Sequence, residues 1–91
     1  RFVIDTLQPV PEIFNLIQDR GGVSEAEMFE VFNMGTGFCL VVEGTNEVEA
    51  VTEICKNNDL SCQLIGQVES CQGKEISLPQ KQLTGKGSRF T

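Results

Sequence analysis

Histidine, tryptophan and tyrosine are absent from these 91 residues, and proline occurs only three times. Without histidine, the Ser-His-Asp triads and the H-E-x-x-H zinc sites are excluded. The four cysteines, Cys39, Cys55, Cys62 and Cys71, include no C-x-x-C pair, so a mixed Cys/His zinc site is excluded too. No apolar run approaches eighteen residues, and no membrane-spanning helix is expected. Positive charge is also scarce: seven Lys and Arg face thirteen Asp and Glu, a net −6. The shortage is uneven. Residues 1–73 hold twelve acids and three bases, whereas residues 74–91 hold Lys74, Lys81, Lys86 and Arg89 against Glu75 alone. An acidic body gains nothing by counterion release from nucleic acid or an anionic membrane, so neither is expected as a partner. The basic end either solubilises the chain or meets a phosphate or an acidic neighbour. No secretory signal is visible, and the cysteine spacing is ordinary, so reduced thiols in a cytoplasmic protein are expected. An opening Arg1-Phe2-Val3-Ile4-Asp5, without methionine, is expected of a piece cut from something longer.

What is present, 40% hydrophobic residues with six Phe, is the composition of a folded domain or part of one. Phe2–Ile4 reads as a short strand, broken by Pro9 and Pro11. Pro11 is suited to the first position of a helix, with Ile13, Leu16 and Ile17 as its apolar stripe and Gly21-Gly22 as its stop. Ser24-Glu25-Ala26-Glu27 forms a capping box that opens a second helix, with Val23 and Met28 as its staple. Glu25, Glu27 and Glu30 fit a solvated face of that helix. The second helix runs into Phe32-Asn33-Met34-Gly35-Thr36-Gly37, a glycine turn on which the chain is organised.

Phe38–Val42, continuously apolar, reads as a strand covered on both faces, with Cys39 as a small hydrophobe within it. Thr45 or Asn46 caps a third helix that continues to about Asn58. Cys62–Val68 reads as another strand, with Gly66 marking a bulge. Lys74–Leu78 alternates as an edge strand does, and Pro79 ends it. The segment beyond shows little periodicity. Together these elements predict an α+β domain with helices packed on a mixed sheet.

Few residues stand out as chemistry. Asn33 sits where its amide can either hold the turn or bind a ligand oxygen, and Thr36 can offer a hydroxyl to an anion. Gly35 and Gly37 allow close backbone approach. Gly35-x-Gly37 precedes its strand and lacks the following x-x-Gly, so it is not a dinucleotide fingerprint. Lys86 and Ser88 in Gly85-Lys86-Gly87-Ser88 are weak phosphate-contact candidates, since the spacing is not that of a phosphate loop. No catalytic residue and no metal ligand can be picked out.

Ile13-Phe14-Asn15-Leu16-Ile17-Gln18, Gly22-Val23-Ser24, Glu27-Met28-Phe29 and Phe32-Asn33-Met34-Gly35-Thr36-Gly37 are another matter when taken together. They closely resemble the C-terminal domain of the phosphoribosylformylglycinamidine cyclo-ligase (aminoimidazole ribonucleotide synthetase) family, whose pattern reads roughly I-F-x-L-I-Q, G-x-V, E-E-M-[YF]-x-x-F-N-M-G-x-G. Phe29 stands where tyrosine is common and Ala26 where an acid is frequent. Gly66 fits the family's I-G, Gly85-Lys86-Gly87 looks like the terminus of some members, and the resemblance spans about residues 4–90.

The resemblance implies a three-layer α/β/α domain with partial ferredoxin-like topology, residues 1–80 being part of it and residues 81–91 a basic C-terminal tail. It implies an ATP-dependent ring closure in purine biosynthesis. Phosphoryl transfer to the formyl oxygen of formylglycinamidine ribonucleotide makes that oxygen a leaving group; the amidine nitrogen attacks, and aminoimidazole ribonucleotide, ADP and phosphate result. Such an enzyme needs positioning and phosphate stabilisation more than a nucleophile. ATP and Mg²⁺ would be held by an N-terminal domain that also forms a homodimer, leaving the present residues inactive alone. Asn33, Gly35, Thr36 and Gly37 would then shape one wall of the substrate cleft. A non-catalytic dimerising or interaction module of the same fold is the alternative.

Overall fold

A computed structural model describes residues 1–91. Its elements in order are β1 (Phe2–Ile4), α1 (Glu12–Gly21), α2 (Glu25–Val31), α3 (Thr45–Asn57), β2 (Gly66–Val68), β3 (Ile76–Leu78), a 3₁₀ turn (Pro79–Lys81), β4 (Leu83–Lys86) and β5 (Arg89–Phe90). The strands form one mixed sheet in the order β2-β1-β3-β4-β5. β1 runs antiparallel to β2 and parallel to β3, while β3-β4 and β4-β5 are antiparallel. The expected α+β class with helices on a mixed sheet is therefore what the chain adopts.

The helix ends follow local chemistry. Pro11 precedes α1 in an extended conformation, and Gly22, at φ 62°, closes it by donating its N–H to the Gln18 carbonyl. The Ser24 hydroxyl accepts the N–H of Glu27 at 3.2 Å, the expected N-cap of α2. α3 instead begins after an extended Gly44, which has no side chain to cap it, so neither Thr45 nor Asn46, both already helical, is the cap.

Packing departs from the expected stripe in α1. Ile13 and Leu16 are 55% and 50% exposed, and the side that packs carries Phe14, whose ring lies 5.8 Å from that of Phe32. An aromatic contact to the end of α2 outweighs the aliphatic stripe in setting the helix rotation. The core is small. Met28, Met34, Leu78 and Gly85 are the only buried residues, as the 18 Å thickness of the molecule requires. α3 packs extensively on no other element.

Three strand expectations are corrected. Phe38–Val42 is not a strand: its residues pair with no neighbour, Phe38 is 83% exposed, and Cys39 lies on the surface. A doubly covered strand needs layers on both faces, and these 91 residues provide neither. The strand expected over Cys62–Val68 shortens to Gly66–Val68. Lys74–Leu78 does not lie at an edge, since β3 sits between β1 and β4. Ile76 and Leu78, two residues apart, share one face of the sheet, which is covered over Leu78 and open over Ile76. Residues 83–90, expected to lack periodic structure, pair as β4 and β5. Gly66 begins β2 where the backbones are closest, since a Cβ there would overlap the Val3 carbonyl. Close approach, rather than a bulge, is its role.

All four cysteines are unbridged. Burial pushes the Cys55 thiol pKa up, and the neighbouring Cys62 adds to the effect.

Candidate functional site

The turn after α2 is built from four residues, Asn33 to Thr36. The Thr36 N–H donates to the Asn33 carbonyl at 3.0 Å, and the two residues between them, Met34 and Gly35, have φ of 53° and 97°. Two successive positive φ values match a type I′ turn, which an L-residue with a side chain enters only against a steric cost. Two contacts hold it. The Asn33 side-chain oxygen accepts the Gly35 N–H at 2.8 Å, and the Met34 side chain is buried. Gly35 lies against the proline segment, where a Cβ would come within 2.5 Å of Pro11 Cδ. The turn is thus clamped between α2 and the residues that lead into α1.

Asn33 therefore performs the first of its two sequence-derived alternatives with its oxygen. Its amide nitrogen donates to no protein acceptor, and the residue is exposed. Thr36 is half-buried, and its hydroxyl likewise makes no hydrogen bond within the chain. Gly37 is open, with nothing within 4 Å of a built Cβ. Asn33 and Thr36 leave two unused polar groups at one clamped turn beside an extended, exposed segment. That arrangement can donate hydrogen bonds to a ligand oxygen; it holds no acid, base or nucleophile within the turn.

Lys86 and Ser88 lie elsewhere, in the β4–β5 hairpin. Lys86 Nζ approaches Glu75 at 3.6 Å, and Ser88 occupies the turn after Gly87, which has φ 61°. A cavity of about 410 Å³ is lined by Ser88 but by neither Lys86 nor any of Asn33, Gly35, Thr36 and Gly37. The candidates thus fall into two separate groups. Glu75 is the electrostatic centre of the second: a hydrogen bond from the Arg1 guanidinium, with Lys86 adding its charge, holds its carboxyl below the ordinary 4.5. The same contact raises the Arg1 pKa.

Sequence reasoning missed the role of the α2 acids. Glu30 accepts the Phe90 N–H at 2.8 Å, and Glu25 pairs with Lys81 at 3.1 Å. Phe29 meets the Phe90 ring at 6.3 Å. α2 is fastened to the terminal hairpin by the residues that were read as a solvated face. The basic excess of residues 74–91 was the available signal, since it complements the acids of α2. No three His, Cys, Asp or Glu side chains converge in a manner that could hold a metal ion, so these residues do not fit a Mg²⁺ site of their own. No helix is long and apolar enough to cross a membrane.

A mixed five-stranded sheet carrying helices, with an Asn-Met-Gly turn clamped against Pro11, defines an α+β domain of the helices-on-sheet class. The chain belongs to the family described as AIR synthase related protein, C-terminal domain, whose model matches residues 1–78. Among curated proteins it is similar to the phosphoribosylformylglycinamidine cyclo-ligase of Prochlorococcus marinus (strain NATL2A), 45% identical over 73 residues, covering 80% of this chain and 21% of that protein. The protein of the same name from Staphylococcus saprophyticus is 42% identical over 73 residues, 79% of this chain and 20% of that one. That of Methanococcus maripaludis (strain C7) is 40% identical over 68 residues, 75% and 19% respectively. The chain spans about one fifth of the length of these relatives. No solved structure matches it.

Proposed function

We propose that this chain is a C-terminal part of an ATP-dependent cyclo-ligase that converts formylglycinamidine ribonucleotide to aminoimidazole ribonucleotide in purine biosynthesis. The observation that carries the proposal is the 40–45% identity, over three quarters or more of the chain, to proteins named phosphoribosylformylglycinamidine cyclo-ligase. In this reading ATP and Mg²⁺ are held by the rest of a cytoplasmic, homodimeric protein. The present residues supply one wall of the substrate cleft and are inactive alone.

Within that wall, the unused Asn33 amide N–H and Thr36 hydroxyl are the groups proposed to touch a substrate oxygen. Gly37 leaves room for it, Gly35 seats the turn against Pro11 in the same wall, and Lys86 and Ser88 are weaker candidates for a phosphate. The chemistry asked of such residues is positioning. The formyl oxygen leaves only once phosphorylated, and the amidine nitrogen must be held against the formyl carbon while it does. A hydrogen bond from a fixed turn contributes to that alignment without itself moving a proton.

The test is Asn33→Asp in the full-length protein, which keeps the side-chain oxygen that accepts the Gly35 N–H and removes the amide donor, read as formylglycinamidine-dependent ADP release together with thermal stability. A fall of about tenfold or more in kcat/KM with Tm unchanged is expected, the scale of one lost hydrogen bond to a charged or strongly polar ligand. Unaltered kcat/KM would remove Asn33 from the cleft. A parallel loss of Tm and activity would leave it only the turn-holding role already visible in its bond to Gly35.

A second reading, a non-catalytic dimerising or interaction module, is favoured by the exposure of Phe38, Leu40 and Val41 at 83%, 60% and 67%. An open reading frame without a nucleotide-binding domain would select it.

A further inference from the structure

The cavity between α2 and the β3–β5 end of the sheet has features that the turn site does not use. Its volume, about 410 Å³, lies in the range of small-molecule sites. Phe2 and Ile76, partners across β1 and β3, form an apolar floor that stays 41% and 37% exposed. The tilted Phe29–Phe90 pair stands beside it.

Four charged residues also line the cavity, two of each sign, but their commitments differ. Glu30 already accepts the Phe90 N–H. Glu75 is engaged by Arg1, which also reaches Glu69, and by Lys86. Lys74 and Arg89 enter no ion pair at all. Glu75 is paired from within the protein and Glu30 spends one oxygen on a backbone N–H, whereas the two lining cations have no partner in the chain and are left to an outside one. Ser88 adds a hydroxyl in the hairpin turn between β4 and β5.

We propose that this cavity binds a small phosphorylated molecule bearing an aromatic ring, the ring resting on Phe2 and Ile76 beside Phe29 and Phe90, and the phosphate held by Lys74, Arg89 and Ser88. A phosphate dianion matches two unpaired cations in charge, and a guanidinium suits its oxygens geometrically. A flat ring is the group that covers an exposed apolar floor next to aromatic side chains with little loss of conformational freedom. Five of the cavity's residues, Gly85, Gly87, Ser88, Arg89 and Phe90, lie beyond the stretch matched by the family model, which ends at residue 78. The site is thus a property of this chain's terminal hairpin, independent of the turn at Asn33.

Titration calorimetry of the full-length protein with phenyl phosphate tests this, with inorganic phosphate and phenol as separate probes of the two halves. Phenyl phosphate is expected to bind more tightly than either half alone. The double variant Lys74→Ala/Arg89→Ala is expected to weaken it by about tenfold or more, the scale of losing charge-assisted hydrogen bonds. Lys74→Arg, which keeps the charge, is expected to retain it. Because both residues are exposed and unpaired, the double variant should keep the far-ultraviolet circular dichroism of the parent. Equal affinity in parent and double variant places any bound phenyl phosphate elsewhere and overturns the proposal, as does the absence of binding. Inorganic phosphate binding as tightly as phenyl phosphate overturns the aromatic half.

Discussion

Gly35→Ala is the sharpest perturbation of the organising turn, because its neighbour Gly37 provides a built-in control. At Gly35 two costs add. The backbone has φ 97°, a conformation that costs an L-residue about 1–3 kcal/mol. The new methyl would also sit 2.5 Å from Pro11 Cδ and 3.2 Å from Pro11 Cγ, against an ordinary carbon–carbon separation of about 3.5–4.0 Å. Relieving such an overlap against a ring costs about 1–3 kcal/mol, since proline cannot rotate away. The expected loss is therefore about 2–6 kcal/mol. At Gly37 φ is not positive and a methyl meets nothing within 4 Å. Alanine there should be neutral or stabilise by up to about 1 kcal/mol, through a less flexible unfolded chain. Urea unfolding of the two variants and the parent gives the comparison as shifts in midpoint at constant m-value. A Gly35→Ala loss below about 1 kcal/mol, or a Gly37→Ala loss of similar size, would refute the clamp between the turn and Pro11.

Two further predictions concern the core and the charge cluster. Met28 is fully buried in a molecule with few such side chains, so Met28→Ala should cost about 2–5 kcal/mol, measured by the same unfolding assay. Glu75 has its folded pKa held below 4.5, chiefly by the Arg1 hydrogen bond. The stability it contributes is fully present above pH 4.5 and is lost as pH falls through the lowered folded value. Melting temperatures taken from pH 7 to pH 3 should therefore fall less steeply at the acid end for Glu75→Gln than for the parent. Identical acid limbs would remove Glu75 from the account.

The parts of the fold legible in the sequence were those decided locally. The Ser24 cap, the Gly22 stop and the positive-φ glycine at the Asn33 turn depend on a few adjacent residues, and each appears where its chemistry requires. The parts that were not legible depend on what lies across space. Ile13 and Leu16 mark an apolar face, but Phe14 finds Phe32 and turns the helix. Phe38–Val42 has the composition of a covered strand without the layers to cover it. The α2 acids look solvated until the 3₁₀ turn brings Lys81, and the terminal hairpin the Phe90 N–H, to them. Asn33 was legible as a turn residue, and its oxygen holds the turn, while its amide nitrogen is left without an acceptor in the chain.

The position of β1 has a consequence for how the chain folds. β1 occupies an interior place in the sheet, and its partners are β2 and β3. Arg1 and Glu75, joined at the edge of that pairing, are 74 residues apart in the chain. β1 therefore pairs only with strands that lie far downstream of it in the chain. α1 and α2 can form before that pairing, since their caps and their Phe14–Phe32 contact are close in sequence. Loop closure over so long a separation is slow compared with helix formation. Pairing of β1 with β2 and β3 is thus expected to be slower than formation of α1 and α2.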